Sequence, residues 1–182
     1  MNPKGWHSRG YLAHFDSPET VQFLTFRLFD SLSAEALYRL THWIGPVGDA
    51  DRDDFLDAGS GNCWLLQPEI ARIVEDALLH FDGERYRLIA WTIMPNHVHV
   101  LIEPISGNSL GTIVSSWKRF SARIANRSLG RAGPFWQEDY WDTYIRNDRH
   151  FESTIRYIEN NPVKAGLVRQ PSEWPWGHVR LR

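Results

Sequence analysis

The chain has 182 residues, 42% hydrophobic and 23% charged, with a formal net charge of −2 and a single cysteine. That length suits one domain with a proper core and is short for two. The lone Cys63 excludes an internal disulfide framework and fits a reducing cytoplasm; the apolar runs are too short to span a membrane, and the opening MNPKGWHSRG lacks the apolar stretch of a secretory signal.

Charge is unevenly distributed. Residues 1–104 carry 8 Lys+Arg against 15 Asp+Glu, and residues 105–182 carry 12 against 7. Such a split suits a face that meets phosphates, and equally a basic solvated face opposite an acidic insertion. Nine tryptophans belong mostly in a core, although tryptophan also stacks on unpaired bases.

In chain order, Thr20–Leu28 reads as a strand with Leu24, Phe26 and Leu28 on one face. Ser33 caps a short helical pattern from Ala34 to Trp43. Residues 45–61 form an acidic, glycine-containing insertion without the ligand order or closing Glu of an EF-hand loop, hence a solvated loop. Pro68 opens a helix to about Phe81, with Ile70, Val74, Ala77 and Leu78 on its apolar stripe. Tyr86–Met94 and His97–Glu103 are strands joined through Pro95-Asn96, so close that they must form an antiparallel hairpin.

A helix from about Ser109 to Ser128 follows, its apolar positions being Leu110, Ile113, Trp117, Phe120 and Ile124. Arg119, Arg123 and Arg127 form a basic stripe away from that face. Trp141–Ile145 is the next strand. Asp148 caps a last helix with the stripe Phe151, Ile155 and Ile158, and Pro162 is expected to end it at Asn161. The order of elements predicts an α+β fold: a ferredoxin-like antiparallel sheet (βαββαβ) with helices on one face, an added C-terminal helix and the other face open for a site.

His97-Val98-His99 falls within a strand. Alternation puts both imidazoles on one face and Val98, Val100 and Ile102 on the other, toward the core. Two such imidazoles can bite one metal ion, but an H-x-H triplet among eight histidines is a weak signal, and two surface histidines would look the same. On the last helix Tyr157 and Asn161, four apart, share a face beside the apolar stripe. A half-buried tyrosine and a C-terminal cap before Pro162 are the plain readings of that pair. The chemical reading joins all four. A phenol is a poor nucleophile at neutral pH unless its charge is offset, and a divalent cation on two imidazoles and an amide oxygen keeps positions open for phosphate oxygens.

The stretch AWTIMPNHVHVLIEP (Ala90 to Pro104), with SSWKRFSARI, GPFWQEDYWDTYIR and RYIENNPVKAGLV, resembles the REP-associated tyrosine transposases of the single-tyrosine HUH superfamily. The likeness covers about Thr20 to Trp176 apart from the acidic insertion, so one HUH domain is expected over 1–182. By that resemblance His97 and His99 match the HUH pair, Tyr157 the nucleophile and Asn161 the third metal ligand, with Asn160 an alternative. The resemblance implies a metal-dependent endonuclease and strand transferase acting on single-stranded or hairpin DNA through a 5′-phosphotyrosine intermediate, with Mg²⁺ or Mn²⁺ as the ion. Lys118, where such proteins commonly have a basic residue, with Arg119, Arg123 and Arg146, are the candidates for tracking the phosphate backbone. Trp136, Tyr140 and Trp141 are candidates for base stacking or for core, and Arg180 and Arg182 for a DNA-contacting tail. A cytoplasmic monomer with Tyr157 acting in cis is expected, a homodimer being the alternative. The competing functions are an inactive hairpin-binding module, an HUH nickase of the replication-initiator or relaxase type, and a metal hydrolase with a structural Tyr157.

Overall fold

The computed structural model describes residues 5–8, 13–17, 19–33, 35, 56–57 and 61–180. The expected helix at 34–43 lies outside them except for residue 35, as does the 45–61 insertion except for residues 56, 57 and 61. A hairpin of β1 (Gly5–Ser8) and β2 (Ala13–Asp16) opens the chain and was not expected. There follow β3 (Gln22–Arg27), α1 (Pro68–Leu79), β4 (Tyr86–Ile93), β5 (His97–Pro104), α2 (Leu110–Ser128), β6 (Trp141–Tyr144), α3 (Asp148–Lys164) and β7 (Gly177–Val179). The main sheet has the order β6-β3-β5-β4-β7, every neighbouring pair antiparallel. This is the ferredoxin-like arrangement, extended at one edge by β7. No helix of the described residues is long and apolar enough to cross a membrane.

β5 lies at the centre, and alternation along it divides the molecule. Val98, Val100 and Ile102 pack into one core with Leu24 and Phe26 of β3, Ile70 and Val74 of α1, and Ile113 and Trp117 of α2. On the other face Leu101, Phe23 and Ala90 meet Ile155 and Ile158 of α3. A register shift in β4 between Leu88 and Ala90 serves both cores. With Ile89 as the extra residue, Leu88 and Trp91 stay in the first core while Ile89 and Ala90 turn toward α3. The face expected to be open is therefore covered by α3. An apolar patch of this kind needs a partner, and the amphipathic last helix is the element able to supply one.

Three details of the helices differ from the sequence reading. Phe120 is 44% exposed, and Val114, Ser121 and Ala125 share the inward face of α2 instead. α3 is capped by Asn147 rather than Asp148, the Asn147 side chain accepting from the His150 amide at 2.9 Å. It also runs past Asn161 to Lys164. Pro162 takes away only one amide hydrogen, that which would reach the Ile158 carbonyl. The amides of Ala165 and Leu167 still bond the carbonyls of Asn161 and Pro162, each at 2.9 Å, and Pro162 is buried. Asn161 is thus an interior residue of the helix and not its cap.

The N-terminal hairpin is held to β6 by charge. His14, fully buried, bonds Asp142 through Nδ1 and Asp139 through Nε2 at 3.0 Å, and Asp142 also accepts from the Phe15 amide at 2.9 Å. Burial alone would pull the imidazole down from its ordinary value near 6.5, but hydrogen bonds and charge from Asp139 and Asp142 push it up to about 9. Because the folded value lies above the unfolded one, this stabilisation is complete below about pH 6.5 and is lost as pH rises through about 9. The expected result for His14→Gln is a stability deficit of about 3 kcal/mol near pH 6, shrinking toward zero above pH 9. Thermal unfolding of both proteins across that range measures it, and a deficit independent of pH would contradict the clamp.

Candidate metal and nucleophile site

The site begins at the turn into β5. The Met94 amide bonds the His97 carbonyl at 2.9 Å, closing the Pro95-Asn96 turn so that β5 starts at His97. From there alternation sends His97 and His99 to the face covered by α3. Both are fully buried, and their rings meet edge to face with Nε2 atoms 3.1 Å apart. One ion at about 2.1 Å from each nitrogen would span that gap at close to a right angle. The spacing would let both nitrogens reach a single ion.

Each imidazole is oriented through its other nitrogen. The Asn96 amide donates from Nδ2 to the Leu56 carbonyl at 2.9 Å, which leaves Oδ1 facing His97 Nδ1 at 2.8 Å. His97 must then carry its proton on Nδ1, and Nε2 presents a lone pair. His99 Nδ1 lies 2.8 Å from the Thr25 hydroxyl, its cross-strand neighbour, which can accept from it. Phe23 stacks on the outer side of the His99 ring, centroids 5.5 Å apart. Neither orienting residue was singled out from sequence: Asn96 adjoins His97 in the motif, but Thr25 becomes visible only through strand register.

α3 brings the other two residues. The Tyr157 ring packs edge-on to His99 at 5.5 Å and to Phe23 at 5.8 Å. Asn161 follows one turn later on the same face. The Tyr157 hydroxyl and both polar atoms of the Asn161 amide are buried without a hydrogen-bond partner. Leaving each such group unsatisfied costs about 1–3 kcal/mol. These three orphaned atoms lie on the helix whose Tyr157 ring meets His99, and their polarity fits a site that takes up a cation and an anionic group. Asn160, by contrast, is exposed, and its amide donates to the Arg156 carbonyl at 2.8 Å.

The cations and aromatics expected to meet DNA divide sharply. Arg119 and Arg123 are exposed on α2, the latter 5.9 Å from the exposed Phe120 ring, and Arg146 is exposed before α3. Arg180 is ion-paired to Asp82 at 2.7 Å and lies over Trp91, and Arg182 lies outside the described residues. Trp136 is buried, donates to the Ser121 hydroxyl at 2.9 Å and packs edge-on to Phe26; Tyr140 is buried against His14; half-buried Trp141 lies beneath Arg27. Trp136 and Tyr140 belong to the core around β6. The Lys118 ammonium donates to the carbonyls of Gln137, Glu138 and Asp139 at 3.0, 3.1 and 2.9 Å. Burial lowers it to about 8, against the pull of the Asp139 carboxylate.

Residues 66–161 match the family model "Transposase IS200 like". A REP-associated tyrosine transposase of Escherichia coli (strain K12) is 30% identical over 106 residues, 58% of this chain and 62% of that protein. The match thus spans less than two thirds of that relative's length. A solved structure of a REP-associated tyrosine transposase bound to a REP hairpin shares the fold with a TM-score of 0.61, over 93% of this chain and 82% of that one, at 22% identity.

The three carbonyls around Lys118 make it a fastener of the 137–139 segment. Replacing it by alanine is expected to lower stability in urea by about 2–4 kcal/mol and to leave affinity for single-stranded DNA within about twofold. A stable variant with much weaker binding, measured by fluorescence anisotropy, would return Lys118 to the phosphate-contacting set.

Proposed function

The chain belongs to the IS200-like transposase family, and from that premise we propose that it is a metal-dependent endonuclease and strand transferase for single-stranded DNA, with Tyr157 as nucleophile. The observation that carries this reading is the buried, unpartnered hydroxyl of Tyr157, whose ring packs on His99, together with the unpartnered Asn161 amide one turn along the same helix face and the convergence of His97 and His99. His97 Nε2, His99 Nε2 and the Asn161 amide oxygen are the atoms that would hold Mg²⁺ or Mn²⁺, imidazole ligands favouring Mn²⁺ in vitro. Such an ion, when bound, polarises the scissile phosphate and offsets charge developing in the transition state.

The remaining chemistry belongs to the chain. The Tyr157 oxygen forms a bond to phosphorus as the bond from phosphorus to the 3′ oxygen breaks. The phenolic proton is lost, the leaving oxygen gains one, and the products are a 5′-phosphotyrosine link and a free 3′-hydroxyl. One phosphodiester replaces another, so a later attack by a 3′-hydroxyl can rejoin the strand without ATP. Burial between His99 and Phe23 orients the phenol and limits its rotation.

An imperfect hairpin of the REP type is the substrate we assign, on the resemblance of the motifs around His97 and Tyr157. Exposed Arg119, Arg123 and Arg146 are the cations we assign to its phosphates. Tyr157 packs on His99 of its own chain, which supports action in cis by a monomer. With labelled hairpin DNA and Mn²⁺, a covalent adduct is expected on a denaturing gel, and Tyr157→Phe should abolish it. Strand cleavage persisting in Tyr157→Phe would make water the nucleophile and refute the proposal, whereas tight binding without cleavage would make the protein a binding module. His97→Ala should cut cleavage by at least about 100-fold while affinity for the DNA is largely kept.

A further inference from the structure

We propose that Asn96 is the positioning residue that presets His97 as a metal ligand, and that the Leu56 carbonyl holds Asn96 in the orientation this needs. The inference rests on the metal-site reading above. Its basis is a relay of close contacts: Leu56 carbonyl to Asn96 Nδ2 at 2.9 Å, Asn96 Oδ1 to His97 Nδ1 at 2.8 Å, and His97 Nε2 facing His99 Nε2 at 3.1 Å. All three side chains are buried, with Asn96 1% exposed and both histidines fully enclosed.

The relay matters because a carboxamide has two ends of opposite character. Turned the other way, Asn96 would present Nδ2 to His97, which would then accept at Nδ1 and carry its proton on Nε2. That tautomer has no lone pair for a metal at Nε2. The Leu56 carbonyl accepts only, so it selects the amide orientation that frees Nε2. Leu56 is itself 1% exposed, so its carbonyl is held by the burial of its own side chain. Thr25 is a different kind of support, since a hydroxyl can donate or accept and imposes no tautomer on His99.

The experiment combines two readouts on the whole protein. In the metal-free wild type at about pH 8, ¹⁵N resonances of the His97 ring should show Nδ1 protonated and Nε2 bare. Mn²⁺ titration followed by electron paramagnetic resonance should show Asn96→Ala binding about 10- to 100-fold more weakly than wild type. Asn96→Asp, which keeps an acceptor toward His97, should recover most of that affinity, a rescue that mere loss of packing would not give. A wild-type His97 protonated at Nε2 would overturn the inference even if Asn96→Ala failed to fold, as would unchanged Mn²⁺ affinity in a folded Asn96→Ala. A wild type that takes up no Mn²⁺ would instead remove the metal-site reading, and the His97 tautomer would still decide the role of Asn96.

Discussion

Everything in this site descends from the alternation of side chains along β5. Burying Val98, Val100 and Ile102 under α1 and α2 removes large apolar surfaces from water, each worth about 1.5–3 kcal/mol. A slip of one residue would exchange those valines for two imidazoles in an apolar core, at the cost of desolvating polar groups. The hydrophobic effect on one face thus sets the position of the histidines on the other. β5 is central in the sheet, bonded to β3 and β4 along its length, so the histidines inherit the rigidity of the best-supported strand. That is the backing a site needs if its nitrogens are to stay 3.1 Å apart.

The same sheet face explains why the last helix is more than an appendage. Phe23, Ala90 and Leu101 leave an apolar patch that Ile155 and Ile158 cover. With that stripe fixed on the sheet, helical periodicity carries Tyr157 to the edge of the patch, against His99, and Asn161 one turn beyond it. Packing therefore supplies the positioning, and the polar residues occupy the margin where the apolar contact ends. The unsatisfied hydroxyl and amide there are destabilising in isolation, a burden that functional sites commonly carry.

Much of this was legible in the sequence because it depends on periodicity. The β4–β5 hairpin, the inward valines, the paired histidines and the i,i+4 relation of Tyr157 to Asn161 all follow from repeat lengths of two and 3.6. Features that depend on tertiary contact were not. Phe120 matches the helical period yet points to solvent, because Val114, Ser121 and Ala125 face the sheet more directly. Pro162 reads as a helix end because local sterics disfavour it, but burial and the two carbonyl bonds beyond it carry α3 to Lys164. Lys118 looks like a phosphate ligand on a basic helix; only the path of residues 137–139 shows that its ammonium is already taken by backbone carbonyls.

The residues around the histidines mark a second limit of sequence reading. Thr25 is 74 positions from His99 and Leu56 is 40 from Asn96, and no local pattern joins either pair. Yet these contacts orient both rings, and the one through Asn96 decides which nitrogen of His97 is free; a histidine with the wrong tautomer is no ligand at all. A motif such as H-x-H names the donors but leaves their protonation open. The fold completes the specification by pairing one histidine with an amide held in a single orientation and the other with a hydroxyl able to accept. The chemistry proposed for the four residues thus depends on partners that only the folded chain brings to them.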